Sequence, residues 1–126
     1  MPVRFATGID VIEIERIESA IERWGERFLK RVYTDTEILH CRGRAQSLAG
    51  RFAAKEAASK ALGTGIRSLS WKEIEVVRGP SGKPIMALHG KARHIADELG
   101  LTNFEVSITH SRTDAIVVVV AWGEIQ

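Results

Sequence analysis

Glu56 and Lys60 are the residues whose types and spacing most directly suggest chemistry. They lie four positions apart in the run from Arg51 to Leu62, which is rich in helix-forming residues. Side chains at this spacing project from one face of a helix. A carboxylate can hold a hard cation, and a neighbouring ammonium can meet a phosphate oxygen. The pair therefore suggests a phosphate-handling site, with an ordinary solvated surface pair as the alternative.

A glycine loop follows this predicted helix, in the sequence Gly63-Thr64-Gly65. Glycine permits the left-handed backbone conformations that end helices. Loops of this kind can also bring backbone N–H groups close to an anion. We expect the three amides to line a bound nucleotide, although such a loop can equally do no more than end the helix.

Asp10 and His110 each follow a predicted strand, and the ends of elements are common places for binding and catalytic residues. Asp10 has a structural alternative as the N-cap of the helix that follows. His110 could likewise be a hydrogen-bonded structural group. The other histidines show no spacing typical of metal ligands, and we assign them no role; they are His40, His89 and His94.

Hydrophobic periodicity predicts the elements that must position these residues. Turn, glycine and proline signals separate them. The predicted elements are a strand at 3–9, a helix at 14–28 bent at Gly25, a helix at 36–44 capped by Thr34 and Glu37, a helix at 47–62, strands at 70–78 and 85–88 joined by a turn, a helix at 91–99, and strands at 104–109 and 115–122. The expected fold class is α+β, with an antiparallel sheet packed with helices.

The last predicted strand has no polar side chain on either face between Ala115 and Trp122. Strands of this composition are usually covered on both sides. We expect both faces of this strand to be covered, either by the chain's own domain or by another subunit, and the small size of the chain favours an oligomer.

The length of 126 residues predicts one domain over 1–126. The net charge of +2 is too mild to favour a nucleic-acid binder. Cys41 is the only cysteine, which rules out an internal disulfide and favours a reducing compartment. The first ten residues lack the features of a secretory signal, so we expect a mature N-terminus, and no apolar run is long enough for a transmembrane helix. We therefore expect a cytoplasmic protein without membrane or nucleic-acid partners.

Three segments in chain order resemble the signature segments of the small phosphopantetheinyl transferases. The first is Gly8-Ile9-Asp10-Val11 with Arg16-Ile17, the second runs from Phe52 to Gly63, and the third is Ser107-Ile108-Thr109-His110 followed by Ala115. The resemblance extends from about Thr7 to Val120. It implies transfer of the phosphopantetheine arm of coenzyme A to a serine of an apo acyl carrier protein, in fatty acid biosynthesis. It also implies a magnesium requirement and a homotrimer with active sites between subunits.

The resemblance also implies roles for individual residues. Asp10 and Glu56 would hold magnesium, Glu56 would additionally accept the serine proton, and Lys60 would stabilise the phosphate or protonate the departing group. The other residues implied in coenzyme A binding are Gly63, Thr64, Gly65, Lys83, Pro84 and His110. For Lys83 and Pro84, an ordinary turn with a solvated lysine is the alternative.

Three arginines of the first predicted helix could steer the acidic carrier protein: Arg16, Arg23 and Arg27. Glutamates interleave with them, so an exposed helix laced with salt bridges is the alternative. At the level of function, a catalytically silent scaffold that binds coenzyme A or a nucleotide is the rival interpretation. It would not require the carboxylate pair Asp10 and Glu56.

Overall fold

The computed structural model describes residues 2–125. The elements in chain order are β1 (Val3–Glu13), α1 (Ile14–Trp24), α2 (Glu26–Val32), α3 (Asp35–Cys41), α4 (Ala45–Ala61), β2 (Ile74–Arg78), β3 (Pro84–Leu88), α5 (Gly90–Leu99), β4 (Asn103–His110) and β5 (Asp114–Glu124), with short 3-10 turns at Ile66–Ser68 and Trp71–Glu73. Helices and antiparallel strands together confirm the predicted α+β class. The strands form two antiparallel sheets rather than one, because β2 and β3 pair only with each other.

β5 is the central strand of the larger sheet, which has the order β1-β5-β4. β1 pairs with β5 along its full length, from Val3 opposite Glu124 to Glu13 opposite Asp114. The prediction that the first strand ends at Ile9 is therefore wrong, and Asp10 lies within β1. Asp10 is not a helix N-cap either, since Glu13 occupies that position of α1.

The predicted first helix is two helices. Gly25 separates α1 from α2 and has a φ of 56°, a conformation that glycine adopts without the strain a side chain would bring. Thr34 and Glu37 form the predicted capping box at the start of α3. The predicted strand at 70–78 is correct only from Ile74 onward, because residues 71–73 form a 3-10 turn.

α4 lies across β1 and β5 and is buried over most of its circumference. Its small side chains allow this close packing; those with no exposed area are Ala49, Ala53, Ala54, Ala57 and Ala58. The inner face of β5 contributes Val117 and Val119, both fully buried. In the described residues, no helix is long and apolar enough to span a membrane.

The outer face of the larger sheet exposes apolar side chains in the single chain. Ile9 is 59% exposed, and its partner across the strands, Val118, is 39% exposed. Phe5, Val11 and Ile116 are further exposed apolar residues of these two strands. Within the single chain one face of β5 is buried and the other is open, so the expectation that another subunit covers the outer face stays a prediction. An exposed apolar face of this kind is typical of a surface that another protein covers.

Candidate active site

Lys60 on α4 contacts β1 at two points. Its Nζ donates to the backbone oxygen of Ile9 at 2.9 Å and to Oδ1 of Asp10 at 3.2 Å. The Asp10 side chain is only 17% exposed, whereas that of Lys60 is 52% exposed. The ammonium therefore lies at the protein surface, beside a carboxylate that is mostly buried.

Glu56 is one helical turn before Lys60 and is partly buried. Burial raises the pKa of the Glu56 carboxyl, and the negative charge of Asp10 raises it further. The positive charges of Lys60 and Arg16 act in the opposite direction on this pKa but do not cancel the increase. The sequence-predicted residues Asp10, Glu56, Lys60 and Arg16 thus form one electrostatically coupled group, which we call the carboxylate–lysine cluster.

Two carboxylates in this cluster suit a magnesium ion. Magnesium prefers oxygen ligands, and it is usually held by one or two carboxylates while waters and substrate phosphates complete its coordination. Among residues 2–125 there is no group of three or more acidic, histidine or cysteine side chains able to hold a metal. Asp10 and Glu56 fit a metal that is shared with a phosphate substrate, because they leave most coordination positions open.

Gly8 explains how β1 and α4 approach closely enough to form the cluster. A Cβ on Gly8 would meet the backbone oxygen of Ala57 at 1.8 Å and the nitrogen of Ala61 at 3.1 Å. Both are backbone atoms of α4, which cannot move aside as a flexible side chain could. Gly8 therefore permits the strand–helix contact that places Asp10 beside Lys60.

Pro84 and His110 lie apart from this cluster, in a separate cavity of about 240 Å³. The cavity is lined by α4, the β2–β3 hairpin and β4; besides Pro84 and His110 its lining residues are Gln46, Ser47, Gly50, Arg51, Arg78, Gly82 and Ile108. Two arginines and a histidine favour an anionic ligand. We call this the arginine cavity.

Arg51 is a candidate residue that the sequence reasoning missed. Its Nε is buried and has no hydrogen-bond partner within residues 2–125. A buried donor without a partner is uncommon in proteins, so this guanidinium is a natural position for an oxygen ligand. Arg51 is the first residue of the run that contains Glu56, but its sequence does not distinguish it from a surface arginine.

The glycine loop does not present three free amides. The N–H groups of Thr64 and Gly65 both donate to the backbone oxygen of Ser59, at 3.2 and 3.3 Å. The N–H group of Gly63 donates to the backbone oxygen of Lys60 at 3.0 Å. The expectation that these amides face a nucleotide is therefore wrong in this geometry, because closing the end of α4 already uses them. A contact of Gly63, Thr64 or Gly65 with the nucleotide through other atoms stays a prediction.

Lys83 lies in the hairpin turn and contacts Glu105 of β4, with 2.7 Å between Nζ and Oε1. Both side chains are more than half exposed. Exposed pairs of this kind contribute little to stability, and the ammonium can exchange partners at small cost. Lys83 does not line the arginine cavity, but its neighbours Gly82 and Pro84 do.

The three arginines proposed for partner binding do not share one helix. Arg16 and Arg23 belong to α1, whereas Arg27 belongs to α2, beyond the break at Gly25. Arg23 lies over the exposed ring of Trp24, with 5.1 Å between its guanidinium carbon and the ring centroid. Within residues 2–125 none of the three arginines forms a salt bridge, whereas the interleaved Glu26 pairs with Lys30 on α2.

Two of the histidines without an assigned role contact carboxylates, whereas Nδ1 of the third, His40, is buried and has no hydrogen-bond partner within residues 2–125. Nε2 of His89 lies 3.1 Å from Oε1 of Glu75, and Nε2 of His94 lies 2.8 Å from Oε1 of Glu98. Cys41 is a buried free thiol.

A larger cavity of about 670 Å³ contains none of the predicted site residues. It is lined by residues from the start of α1, the start of α4 and the β4–β5 turn, among them Glu13, Arg44, Gln46 and Arg112. Gln46 also lines the arginine cavity, and Glu13 also lines a surface cavity with Arg16 and Arg23. Carboxylates and arginines line this larger cavity, but it lies apart from Asp10, Glu56 and Lys60, which are the residues that could hold a metal and a phosphate together.

Comparison with known proteins identifies the family. A model of the 4'-phosphopantetheinyl transferase superfamily matches residues 6–118. A holo-[acyl-carrier-protein] synthase of Herpetosiphon aurantiacus is 51% identical over 124 residues, covering 93% of this chain and 98% of that protein. The corresponding protein of Koribacter versatilis is 46% identical over 118 residues, covering 90% and 94%.

A solved structure gives the same result. The holo-[acyl-carrier-protein] synthase of Helicobacter pylori, in complex with coenzyme A, superposes with a TM-score of 0.83 at 37% identity, covering 91% of this chain and 98% of that one. The chain, with its carboxylate–lysine cluster on β1 and α4, therefore belongs to the 4'-phosphopantetheinyl transferase superfamily.

Proposed function

We propose that this protein transfers the 4'-phosphopantetheine arm of coenzyme A to a serine of an apo acyl carrier protein in fatty acid biosynthesis. The serine oxygen forms a bond to the pantetheine-bearing phosphorus, and the bond from that phosphorus to the oxygen of adenosine 3',5'-bisphosphate breaks. The observation that carries this proposal is the carboxylate–lysine cluster, where Lys60 lies 3.2 Å from Asp10 and Asp10 raises the pKa of Glu56. The activity of its relatives supports the substrate assignment.

Each residue of the cluster has a chemical task in this reaction. Asp10 and Glu56 would hold magnesium, which neutralises charge on the pyrophosphate oxygens when bound. The raised pKa of Glu56 suits a second task, acceptance of the serine proton, because a stronger base takes a hydroxyl proton more readily. Lys60 would stabilise charge on the transferring phosphate or donate a proton to the leaving bisphosphate.

The arginine cavity would hold the nucleotide half of coenzyme A. The unpartnered Nε of Arg51 and the side chains of Arg78 and His110 supply donors for phosphate oxygens. Pro84 would contact the nucleotide from the hairpin. Lys83, the residue before it, would exchange its exposed contact with Glu105 for a phosphate oxygen. Phosphate binding by several positive groups fits a ligand that carries three phosphates.

The two parts of the proposed site point in different directions from α4. Arg51 and Glu56 are five residues apart, which places them about 140° apart around the helix. One coenzyme A molecule is more easily accommodated if the cluster of one copy faces the arginine cavity of another. The exposed apolar face around Ile9 and Val118 supports such an assembly. We therefore propose a homotrimer with three shared sites.

The acidic carrier protein would dock at the junction of α1 and α2. Arg16 and Arg23 line one surface cavity, and Arg27 lines a neighbouring one together with Phe28 and Arg31. Trp24 lies between them and is 52% exposed. Positive charges around an exposed aromatic side chain suit an acidic helix with an apolar contact residue.

Two further assignments accompany this function. Residues 1–126 would form one transferase domain, supported by the continuous core around α4. The cytoplasm would be its location, supported by the free thiol of Cys41. Neither membrane nor nucleic-acid binding is part of the proposal.

The test is the release of adenosine 3',5'-bisphosphate from coenzyme A, followed by liquid chromatography. We expect release only when apo acyl carrier protein and magnesium are both present. The amount of bisphosphate released should equal the amount of holo protein formed. Glu56→Gln should reduce the release sharply, while the control Glu98→Gln on the exposed face of α5 should not. Binding of coenzyme A without release under every condition would favour the silent scaffold.

A further inference from the structure

Lys55 and Glu37 form a fully buried ion pair that the mechanism above does not use. Both side chains have no exposed area, and Nζ of Lys55 lies 2.8 Å from Oε1 of Glu37. Lys55 also donates to the backbone oxygens of Ile74 at 2.6 Å and Trp71 at 3.1 Å. All three N–H groups of the ammonium therefore have an acceptor.

Glu37 extends this network to two further elements. Its Oε1 accepts from the backbone N–H of Thr34, and its Oε2 accepts from the backbone N–H of Val76, each at 2.9 Å. The ion pair thus joins α4, the start of α3, the 3-10 turn before β2 and β2 itself. We call these contacts the buried ion network.

A buried ion pair is rarely explained by stability alone. Removing two charges from water is costly, and apolar replacements of such pairs are often neutral or stabilising. Burial of this pair is therefore better explained by what it positions. Because Lys55 has no exposed surface, it cannot itself contact a substrate.

The position of the network in the fold suggests what it fixes. The arginine cavity lies between α4, which carries Arg51, and the hairpin, which carries Arg78, Gly82 and Pro84. The hairpin has no strand hydrogen bonds to the larger sheet. Its polar contact with that sheet through Lys83 and Glu105 is exposed and weak. Lys55 and Glu37 provide the buried polar link between the hairpin and α4.

We infer that Lys55 and Glu37 are positioning residues that set the width of the arginine cavity and thereby the affinity for the nucleotide half of coenzyme A. This inference rests on the proposed function, which assigns that cavity to coenzyme A. It adds a role for two residues that touch neither substrate nor metal. Loss of the network lets the hairpin shift relative to Arg51, and small displacements of binding groups have large effects on binding and rate.

The test compares two variants with the wild-type protein. Glu37→Gln combined with Lys55→Met removes both charges at once, so no unpaired charge is left in the core. Glu37→Gln alone is the harsher variant, because it keeps the size of the side chain and one acceptor oxygen but leaves the buried Lys55 ammonium without its counter-ion. For each, we measure the Kd of adenosine 3',5'-bisphosphate by calorimetry, and KM for coenzyme A and kcat in the transfer assay.

We expect the variants to remain folded, with Kd and KM raised about tenfold and kcat changed by less than about twofold. Tyr33→Phe is the matched control, since it removes a buried hydrogen bond from Tyr33 to the backbone of Leu48 on α4 without touching the hairpin. It should lower the melting temperature and leave KM unchanged.

Folded variants with wild-type Kd and KM would overturn the inference and leave the pair a purely structural one. A rise in KM in Tyr33→Phe equal to that in the variants would overturn it as well, since general loosening of the core would then be the cause. Failure of the proposed function is distinguishable, because wild-type protein would then show no transfer at all.

Discussion

The ammonium of Lys60 joins α4 to β1 by contacting Asp10 and the backbone oxygen of Ile9 at the same time. This relationship brings a lysine, a mostly buried carboxylate and the neighbouring Glu56 into one cluster. In the proposed reaction, Lys60 would release part of this contact to meet a phosphate oxygen, because its side chain is half exposed.

Lys60→Gln should therefore lower kcat about 10²- to 10³-fold, the range observed when one group that stabilises developing charge is lost. Folding should be little changed, since the lysine head is solvent-accessible. The measurement is a steady-state transfer assay alongside circular dichroism. Lys91→Gln, in the exposed first turn of α5, is the control. Full activity of the Lys60 variant would remove this residue from the mechanism.

Gly8→Ala should destabilise the protein by at least about 1–3 kcal/mol, the usual cost of overpacking a core. The added Cβ would lie 1.8 Å from the backbone oxygen of Ala57, so β1 and α4 must separate. Because that separation moves Asp10 away from Glu56, magnesium should also bind more weakly. Urea denaturation and a magnesium titration of activity measure the two effects. Ser81→Ala in the exposed hairpin turn serves as a control. A Gly8 variant as stable as the wild-type protein would show that the contact between β1 and α4 is not tight.

If the proposed homotrimer forms, Val118→Lys should convert it to monomers and abolish transfer. Val118 is exposed in the single chain at the centre of the outer sheet face, opposite Ile9. A buried lysine without a partner there would disfavour association strongly. Sedimentation velocity measures the change in mass. Leu39→Lys, at an apolar residue that is 72% exposed on α3, should leave the mass unchanged. Wild-type protein that sediments as an active monomer would contradict the shared-site proposal.

Glu75→Gln should make the free energy of unfolding less dependent on pH in the acidic range. Burial raises the pKa of Glu75, but hydrogen bonds from Thr34 and His89 outweigh it and hold the pKa below its usual value of 4.5. A carboxyl with a lowered pKa contributes stability at higher pH and loses it as the pH falls through its folded value. The variant should melt a few degrees below wild type at pH 7.

The difference in melting temperature between this variant and wild type should shrink below pH 4.5. Thermal melts at about five pH values between roughly pH 3 and pH 7 would measure this trend. The exposed Glu22→Gln should show no such trend. A constant difference across the range would mean that the charge of Glu75 contributes nothing.

Much of the candidate site could be predicted from the sequence because it depends on local spacing. Glu56 and Lys60 share a helix face by periodicity alone, and Thr34 with Glu37 is a local capping pattern. The positions of Asp10 and His110 after predicted strands single them out, and the family resemblance supplies their roles. Each of these rests on residue type and spacing, which a sequence carries directly.

The remaining features depend on contacts between distant segments. The length of β1 follows from its pairing with β5. The residue types at positions 10–13 do not predict this pairing. The exposed outer face of β5 could not be distinguished from a covered one, since its residues are apolar in both cases. Arg51 and Lys55 look like surface cations in a helical run, and only tertiary packing makes one an unpartnered donor and the other a buried ion.

Intact-mass spectrometry of an apo acyl carrier protein, incubated with this protein, coenzyme A and magnesium, tests the central claim most directly. The proposed function predicts that the carrier gains the mass of one phosphopantetheine arm. It also predicts that the gain disappears with a chelator and falls sharply with Glu56→Gln. An unchanged carrier mass with several apo carrier proteins, while coenzyme A still binds, would contradict it.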